Sequence, residues 1–136
     1  MSDWELKIEI PNTPCGKARA RATKGHHYTP LDTRAAQRTI GNVARREMRM
    51  KGLQMFAAHV PVRIIVNAHF KGDDFSISYT TRKPDLDNIA KLVCDALNGV
   101  AFVDDKQVSS IRIEKFSSNL DGLFIIVKQA MIEEPC

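Results

Sequence analysis

The sequence predicts a single α+β domain over residues 1–136, a mixed β-sheet with two main helices packed on it. Three observations predict it. Residues 31–51 and 85–98 carry apolar side chains at helical spacing. Five other segments are short, β-branched or aromatic, and bounded by turn residues. The order strand, loop, helix, strand, strand, helix, strand, strand then argues for helices covering one face of the sheet. A chain of 136 residues, 43% of them hydrophobic, suits one core.

Residues 4–10 alternate Trp4, Leu6, Ile8 and Ile10 with Glu5, Lys7 and Glu9, a half-buried strand that Pro11-Asn12-Thr13-Pro14 stops. Residues 15–30 are polar, basic and poor in large apolar side chains, as in a long exposed loop or loose hairpin. In residues 31–51, Ala36, Ile40, Val43, Ala44 and Met48 fall on one side at 100° per residue, with Asp32 or Thr33 placed to cap the start. Residues 61–70 and 75–80 read as strands joined by Lys71-Gly72-Asp73-Asp74, a candidate hairpin. Pro84 disfavours the helical region for Lys83, so the second helix begins near Asp85 and ends at Gly99, a natural residue to follow a helix C-terminus. Residues 108–116 and 122–132 are strands, with turn chemistry at Asn119-Leu120-Asp121-Gly122 between them.

Charge is unevenly distributed. Residues 17–51 hold ten Lys and Arg against Asp32 and Glu47, a net +8, which leaves −4 elsewhere from the overall +4. A basic half suits polyanions through phosphate contacts, and an acidic half suits divalent cations; a phosphodiester substrate needs both. No apolar run approaches the roughly 20 residues of a membrane span, and the N-terminus lacks a signal core. Cys15, Cys94 and Cys136 are odd in number and scattered, so neither a disulfide framework nor a thiolate zinc site is expected, and a reducing cytoplasm is.

The acidic half is concentrated in residues 83–108, KPDLDNIAKLVCDALNGVAFVDDKQV, which hold five of the sixteen carboxylates. Asp85 and Asp87 fall at a helix start, Lys91 and Asp95 follow at four-residue intervals, and Asp104-Asp105 come after a short turn. Capping explains one carboxylate at about 1 kcal/mol but not the whole set. A helix and the strand after it commonly return close together, which allows Asp105 to converge with Asp85 and Asp87. Two or three carboxylates suffice for magnesium, which keeps several waters and can activate one as a nucleophile toward a phosphodiester. Lys91 could hold the attacked phosphate, or simply pair with Asp87 or Asp95. The spacing does not fit a calcium-binding EF-hand loop. His26 and His27 are better read as solvated polar residues or phosphate contacts than as ligands, and Cys94 as core packing.

Arg34, Arg38, Arg45 and Arg49 project within an arc of about 60° on the first helix. They form a stripe opposite Ile40, Val43, Ala44 and Met48 that could track a phosphate backbone or could be an ordinary solvated face. Lys17, Arg19, Arg21 and Lys24 in the preceding loop favour nucleic acid.

The pattern D-x-D-N-x-x-K-x-x-x-D-x-L-N followed by D-D-x-x-V resembles the RusA family of Holliday-junction resolvases, small endodeoxyribonucleases frequent in phages and prophages. Asp85, Asp87, Asn88, Lys91, Asp95, Asp104 and Asp105 match it. The resemblance implies a homodimer that binds four-way DNA junctions and makes paired symmetric cuts in a magnesium-dependent reaction, with manganese as a substitute ion, in DNA recombination, repair or phage genome processing. It carries Asp85, Asp87 and Asp105 over as metal-binding catalytic carboxylates and Lys91 as the catalytic lysine. The basic run before Asp85 is shorter than in some members, Thr81-Arg82-Lys83-Pro84, which shifts DNA binding toward residues 17–49. The competing expectation is a noncatalytic nucleic-acid-binding protein whose acidic cluster is only structural.

Overall fold

The structure, a computed structural model, describes residues 4–11, 14, 21–23, 26–28, 31–72 and 76–132, with the backbone alone at 21–23, 26–28 and 31–32. Strands β1 (Glu5–Ile10), β4 (Val62–Lys71), β5 (Ser78–Tyr79), β6 (Val108–Ser118) and β7 (Gly122–Gln129) form one mixed sheet in the order β1-β7-β4-β6-β5. A small antiparallel hairpin, β2 (Arg21–Thr23) with β3 (His26–Tyr28), is separate from it. Helices α1 (Leu31–Lys51) and α2 (Leu86–Leu97) pack on each other, α1 against β1 and α2 against β6. The α+β reading is borne out.

Alternation explains the layering. Leu6 and Ile8 of β1, Ile64 and Val66 of β4 and Ile125 and Val127 of β7 are buried, and the register aligns Ile8, Ile125, Val66 and Ile113 in one row beneath the helices. Ile40, Ala44 and Met48 close the core from α1; Ile89, Leu92, Val93, Ala96 and Leu97 close it from α2. Burying a side chain of this size contributes about 1.5–3 kcal/mol. The other face is half-open and carries an aromatic group: His69 lies 5.2 Å from Phe116 and 5.4 Å from Phe124, and Phe116 stacks on Tyr79 at 5.3 Å.

Two expectations are corrected. The proposed hairpin of residues 61–70 and 75–80 does not form: β4 is flanked by β6 in parallel and β7 in antiparallel register, and β5 pairs with β6. Both edges of β4 are taken because its ten residues match the length of its neighbours, whereas β5 is a two-residue edge strand. The Asn119–Asp121 turn is present as expected and joins β6 to β7, which lie on either side of β4. The turn crosses the end of β4 and is fastened there by Lys71 N–H donating to Asp121 Oδ1 at 2.8 Å and Gly72 N–H donating to Ser118 O at 2.8 Å. Finally, α1 begins at Leu31, so Asp32 and Thr33 lie within its first turn and do not precede it as caps.

The helix ends follow their residues. Gly52 has φ of 66°, and Leu53 N–H bonds Met48 O at 2.8 Å while Gly52 N–H bonds Arg49 O at 3.3 Å, a Schellman closure. After α2, Asn98 at φ −63°, ψ 124° and Gly99 at φ 77° make a type II turn closed by Val100 N–H to Leu97 O at 3.0 Å. No helix among the described residues is long and apolar enough to cross a membrane.

Candidate functional site

Asp85 occupies the N-cap position of α2 with extended backbone, φ −69° and ψ 157°. Its carbonyl oxygen accepts from Asn88 and Ile89 N–H, both at 3.1 Å, but its carboxylate makes no capping bond. Capping therefore does not account for this side chain. Asp87 stands exposed in the first turn and Lys91 exposed one turn further on. The segment leading into the helix, which contains a cis Lys83–Pro84 peptide, is held from β6: Lys115 Nζ donates to Arg82 O at 2.8 Å and to Pro84 O at 3.2 Å.

The second acidic group sits on a short 3-10 turn, Asp105–Gln107, capped by Asp104. Asp104 Oδ1 accepts from Lys106 N–H at 3.3 Å, and Gln107 Oε1 accepts from Val103 N–H at 2.8 Å and Asp104 N–H at 3.0 Å, a reciprocal capping box. The Asp104 and Asp105 carboxyls share a hydrogen bond that holds Asp104 below the usual carboxylate range and raises Asp105. The Lys106 N–H also favours ionised Asp104, while lost hydration and then the charges of Asp104 and Asp95 raise Asp105 further.

The chain does return beside α2, and it brings Asp105 to the C-terminal half of the helix. Asp95 acts on Asp105, and Cys94 feels both: burial first, then Asp105, then Asp95 push its thiol up to about 11. Cys94 is half-buried and packs against the core, as its sequence context suggested. Asp87 lies eight residues before Asp95, about 12 Å back along the helix axis. Among the described residues, no three His, Cys, Asp or Glu side chains are grouped so that they could hold one ion. Asp85, Asp87 and Asp105 are exposed, and carboxylate oxygens are the donor type that hard divalent cations take, but the three are not gathered at one point.

The basic face lies on the other wall. Arg34, Arg38, Arg45 and Arg49 are exposed on α1, opposite buried Ile40, Ala44 and Met48. Instead of facing open solvent throughout, three of them line a cleft of about 490 Å³ between the helices, with Gln37 and Gly41 of α1, Asp95 and Ala96 of α2, and Asn98 just after it. Gly41 lies beside the arginine arc, and a Cβ there would stand 3.3 Å from Ala96 O; its lack of a side chain is what lets the helices approach at this point. A second hollow of about 350 Å³ continues along α1 past Arg45, Arg46 and Arg49. Lys17, Arg19 and Lys24 lie outside the described residues; Arg21 is in β2, with only its backbone described.

Three residues central to this arrangement were not singled out from sequence: Gly41, Gln107 and Lys115. Gln107 had a readable signal, because Asp104-x-x-Gln107 is a capping-box spacing. Lys115 and Gly41 had none, since their roles depend on which strand and helix they meet.

Fold and site together define a small α+β domain in which an arginine-lined cleft adjoins a carboxylate-rich turn. The family description Endodeoxyribonuclease RusA matches residues 10–128, and the chain belongs to that family. It is also similar to the uncharacterized protein YqaN of Bacillus subtilis (strain 168), with 39% identity over 49 residues, 36% of this chain. That match spans only 34% of the length of YqaN.

Proposed function

We propose that this protein is a magnesium-dependent, structure-specific endodeoxyribonuclease that binds four-way and other branched DNA as a homodimer and resolves junctions by paired strand cuts. The observation that carries the reading is the α1–α2 cleft, whose walls hold Arg34, Arg38 and Arg45 beside Asp95, the electrostatic neighbour of Asp105. Cations that neutralise phosphate stand next to carboxylates suited to a metal. From Arg34 to Arg49 the stripe extends about 22 Å along α1.

In this reading Asp85, Asp87 and Asp105 hold the ion, completed by water, as the family motif implies. Magnesium, or manganese in its place, lowers the pKa of a bound water and polarises the phosphoryl oxygen. Lys91 balances charge on the attacked phosphate, and the α1 arginines, with Lys17, Arg19, Arg21 and Lys24, bind the flanking backbone. Because the three carboxylates do not gather at one point in this conformation, the reading requires that ion and DNA rearrange the segments carrying them. A twofold dimer would place one such site on each of two symmetry-related strands. Since β7 is hydrogen-bonded on both edges, it could serve a dimer only through its open face.

That same lack of convergence favours the second reading, a protein that binds branched DNA without cutting it. One assay separates them: a labelled four-way junction incubated with purified protein, with and without magnesium or manganese, across a range of pH. Paired nicks that depend on the ion support the nuclease; tight binding with an intact junction under every condition rejects it.

A further inference from the structure

We infer that the face of the sheet turned away from the helices is where two copies of this chain meet, packed face to face about a twofold axis that runs across the strands. The inference rests on the homodimer reading and gives that dimer a surface; it does not depend on cleavage.

The face is built by alternation. Both helices lie on one side of the sheet, over Leu6, Ile8, Val66 and Ile125, so the intervening residues of each strand point the other way. Strand register sets these in rows about 7 Å apart. One row runs Lys7, Ile126, Ile65, Arg112, and the next runs Glu9, Phe124, Asn67, Glu114. A third holds His69 and Phe116, with Tyr79 stacked on Phe116 at 5.3 Å and 74% exposed. The middle of the face is thus apolar and aromatic, yet Ile65, Phe124, Ile126 and Phe116 are only half-buried. A contiguous apolar surface of this kind, rimmed by charge, marks an interaction site.

The charges at the rim identify the occupant. Each flank carries a cation and a carboxylate at successive outward positions, Lys7 and Glu9 on β1, Arg112 and Glu114 on β6. The Tyr79 hydroxyl, donating at 2.6 Å, and then Arg112 hold Glu114 below the usual carboxylate range, so it stands ionised. A half-turn about an axis across the strands, between the two charged rows, sets Lys7 of each copy against Glu9 of the other, and Arg112 against Glu114. It also lays Ile126 on Phe124 and brings Arg63 over the His69 and Phe116 rings. An axis along the strands would instead oppose Lys7 to Arg112 and Glu9 to Glu114. Sheets packed face to face keep their strands within about 30° of alignment, so the rows still meet. This match holds only between identical faces, the isologous contact of a twofold dimer. A nucleic-acid strand laid on the same rings would meet both carboxylates. The helix layer, with its arginine-lined cleft, stays open on the outside of the pair.

The test is sedimentation velocity on the full chain over a range of concentration. Lys7→Glu with Arg112→Glu makes both flanks acidic; Glu9→Lys with Glu114→Lys makes both basic. The expected result is a wild-type dimer, self-association at least about 100-fold weaker in each variant, and a dimer of wild-type affinity when the two are mixed in equal amounts. Ile65→Thr with Ile126→Thr keeps β-branched side chains in the strands, should weaken the dimer by about tenfold, and serves if a charge variant does not fold. Wild-type affinity in the folded variants, with no gain on mixing, overturns the inference while leaving the homodimer to another surface. A wild-type protein that stays monomeric overturns the inference and the homodimer reading together. Should Ile65→Thr with Ile126→Thr then also lose affinity for a single-stranded oligonucleotide, the rings are a base-stacking surface instead. Cleavage of a labelled junction, scored separately, decides the nuclease reading in every case.

Discussion

Lys115 reaches from the middle of the sheet to Pro84, its Nζ donating to the Pro84 carbonyl oxygen at 3.2 Å, one residue before Asp85. The same ammonium donates to Arg82 O at 2.8 Å, so a β6 side chain fixes the approach to α2. Lys115→Met should preserve the aliphatic stem but lose both bonds. Partial exposure limits the expected loss of stability to about 1 kcal/mol by urea denaturation. If the nuclease reading holds, the cleavage rate should fall more, by about tenfold, because Asp85 is displaced. Equal rates in variant and wild type would show that this tether does not matter to the chemistry.

Asp85→Asn, Asp87→Asn and Asp105→Asn should each reduce junction cleavage by at least about 100-fold. Binding should stay the same or tighten, because each removes a negative charge near phosphate. Gel-shift titration beside a cleavage assay separates the two effects. Loss of binding in a folded Asp105→Asn protein would place that residue among the binding groups and not the chemical ones.

Arg34→Ala with Arg38→Ala removes two cations from the inter-helix cleft. If both face phosphates, the slope of log affinity against log salt should fall by about two, with weakening that does not depend on DNA sequence. An unchanged slope would take the cleft out of the DNA surface. Gly41→Ala, whose Cβ would press on Ala96 O where the helices cross, should weaken binding without changing net charge.

Cys94 provides a local probe of Asp105. With its pKa near 11, almost none of the thiol is ionised at pH 8, and alkylation followed by peptide mapping should proceed at least about tenfold more slowly than for a free cysteine peptide. Burial is the largest cause, so Asp105→Asn should restore only part of the rate. No acceleration at all would mean that Asp105 stands farther from α2 than described.

His69 titrates against stability. Its ring bonds Ser118 Oγ at 2.9 Å through Nδ1, and burial lowers its pKa below the ordinary 6.5. A depressed histidine is neutral in the fold but takes up a proton more readily once unfolded. Its contribution is therefore full above about pH 6.5 and is lost as pH falls through the lower folded value. His69→Gln should lose less stability than wild type between pH 7.5 and 5.5, measured as the shift in urea midpoint; parallel curves would assign the acid sensitivity elsewhere.

The helices were legible because each is a single amphipathic run with its own punctuation. Residues 31–51 coincide with α1, and Gly99 marks the end of α2 as its chemistry requires. Strand existence was legible from alternation, but strand pairing was not. Adjacent strands usually pair, and residues 61–70 and 75–80 look like a hairpin on that rule. The rule fails here because β6 and β7, remote in sequence, offer β4 longer apolar partners than the two residues of β5.

The candidate site divides the same way. Its residue types could be read from the motif, since carboxylates at helix-start and turn positions are local patterns. Their relative placement could not, because it depends on where the chain re-enters the sheet after Gly99. That return brings Asp105 to Asp95 and Cys94, a meeting no spacing rule specifies. The direction of the arginine stripe was also half-legible: helical period separates it from the core, but only the crossing at Gly41 reveals that α2 forms one bank of it.

The threading of β4 between β6 and β7 has a consequence for how the molecule comes together. In this sheet β1 has one partner, β7, which is synthesised last of the five strands. Until β7 arrives, β1 is without a ladder and β4 has a bare apolar side, the condition in which nascent chains pair wrongly with their neighbours. The sheet cannot close until residues 122–129 are in place, and a chain interrupted before them would hold a sheet missing its keystone.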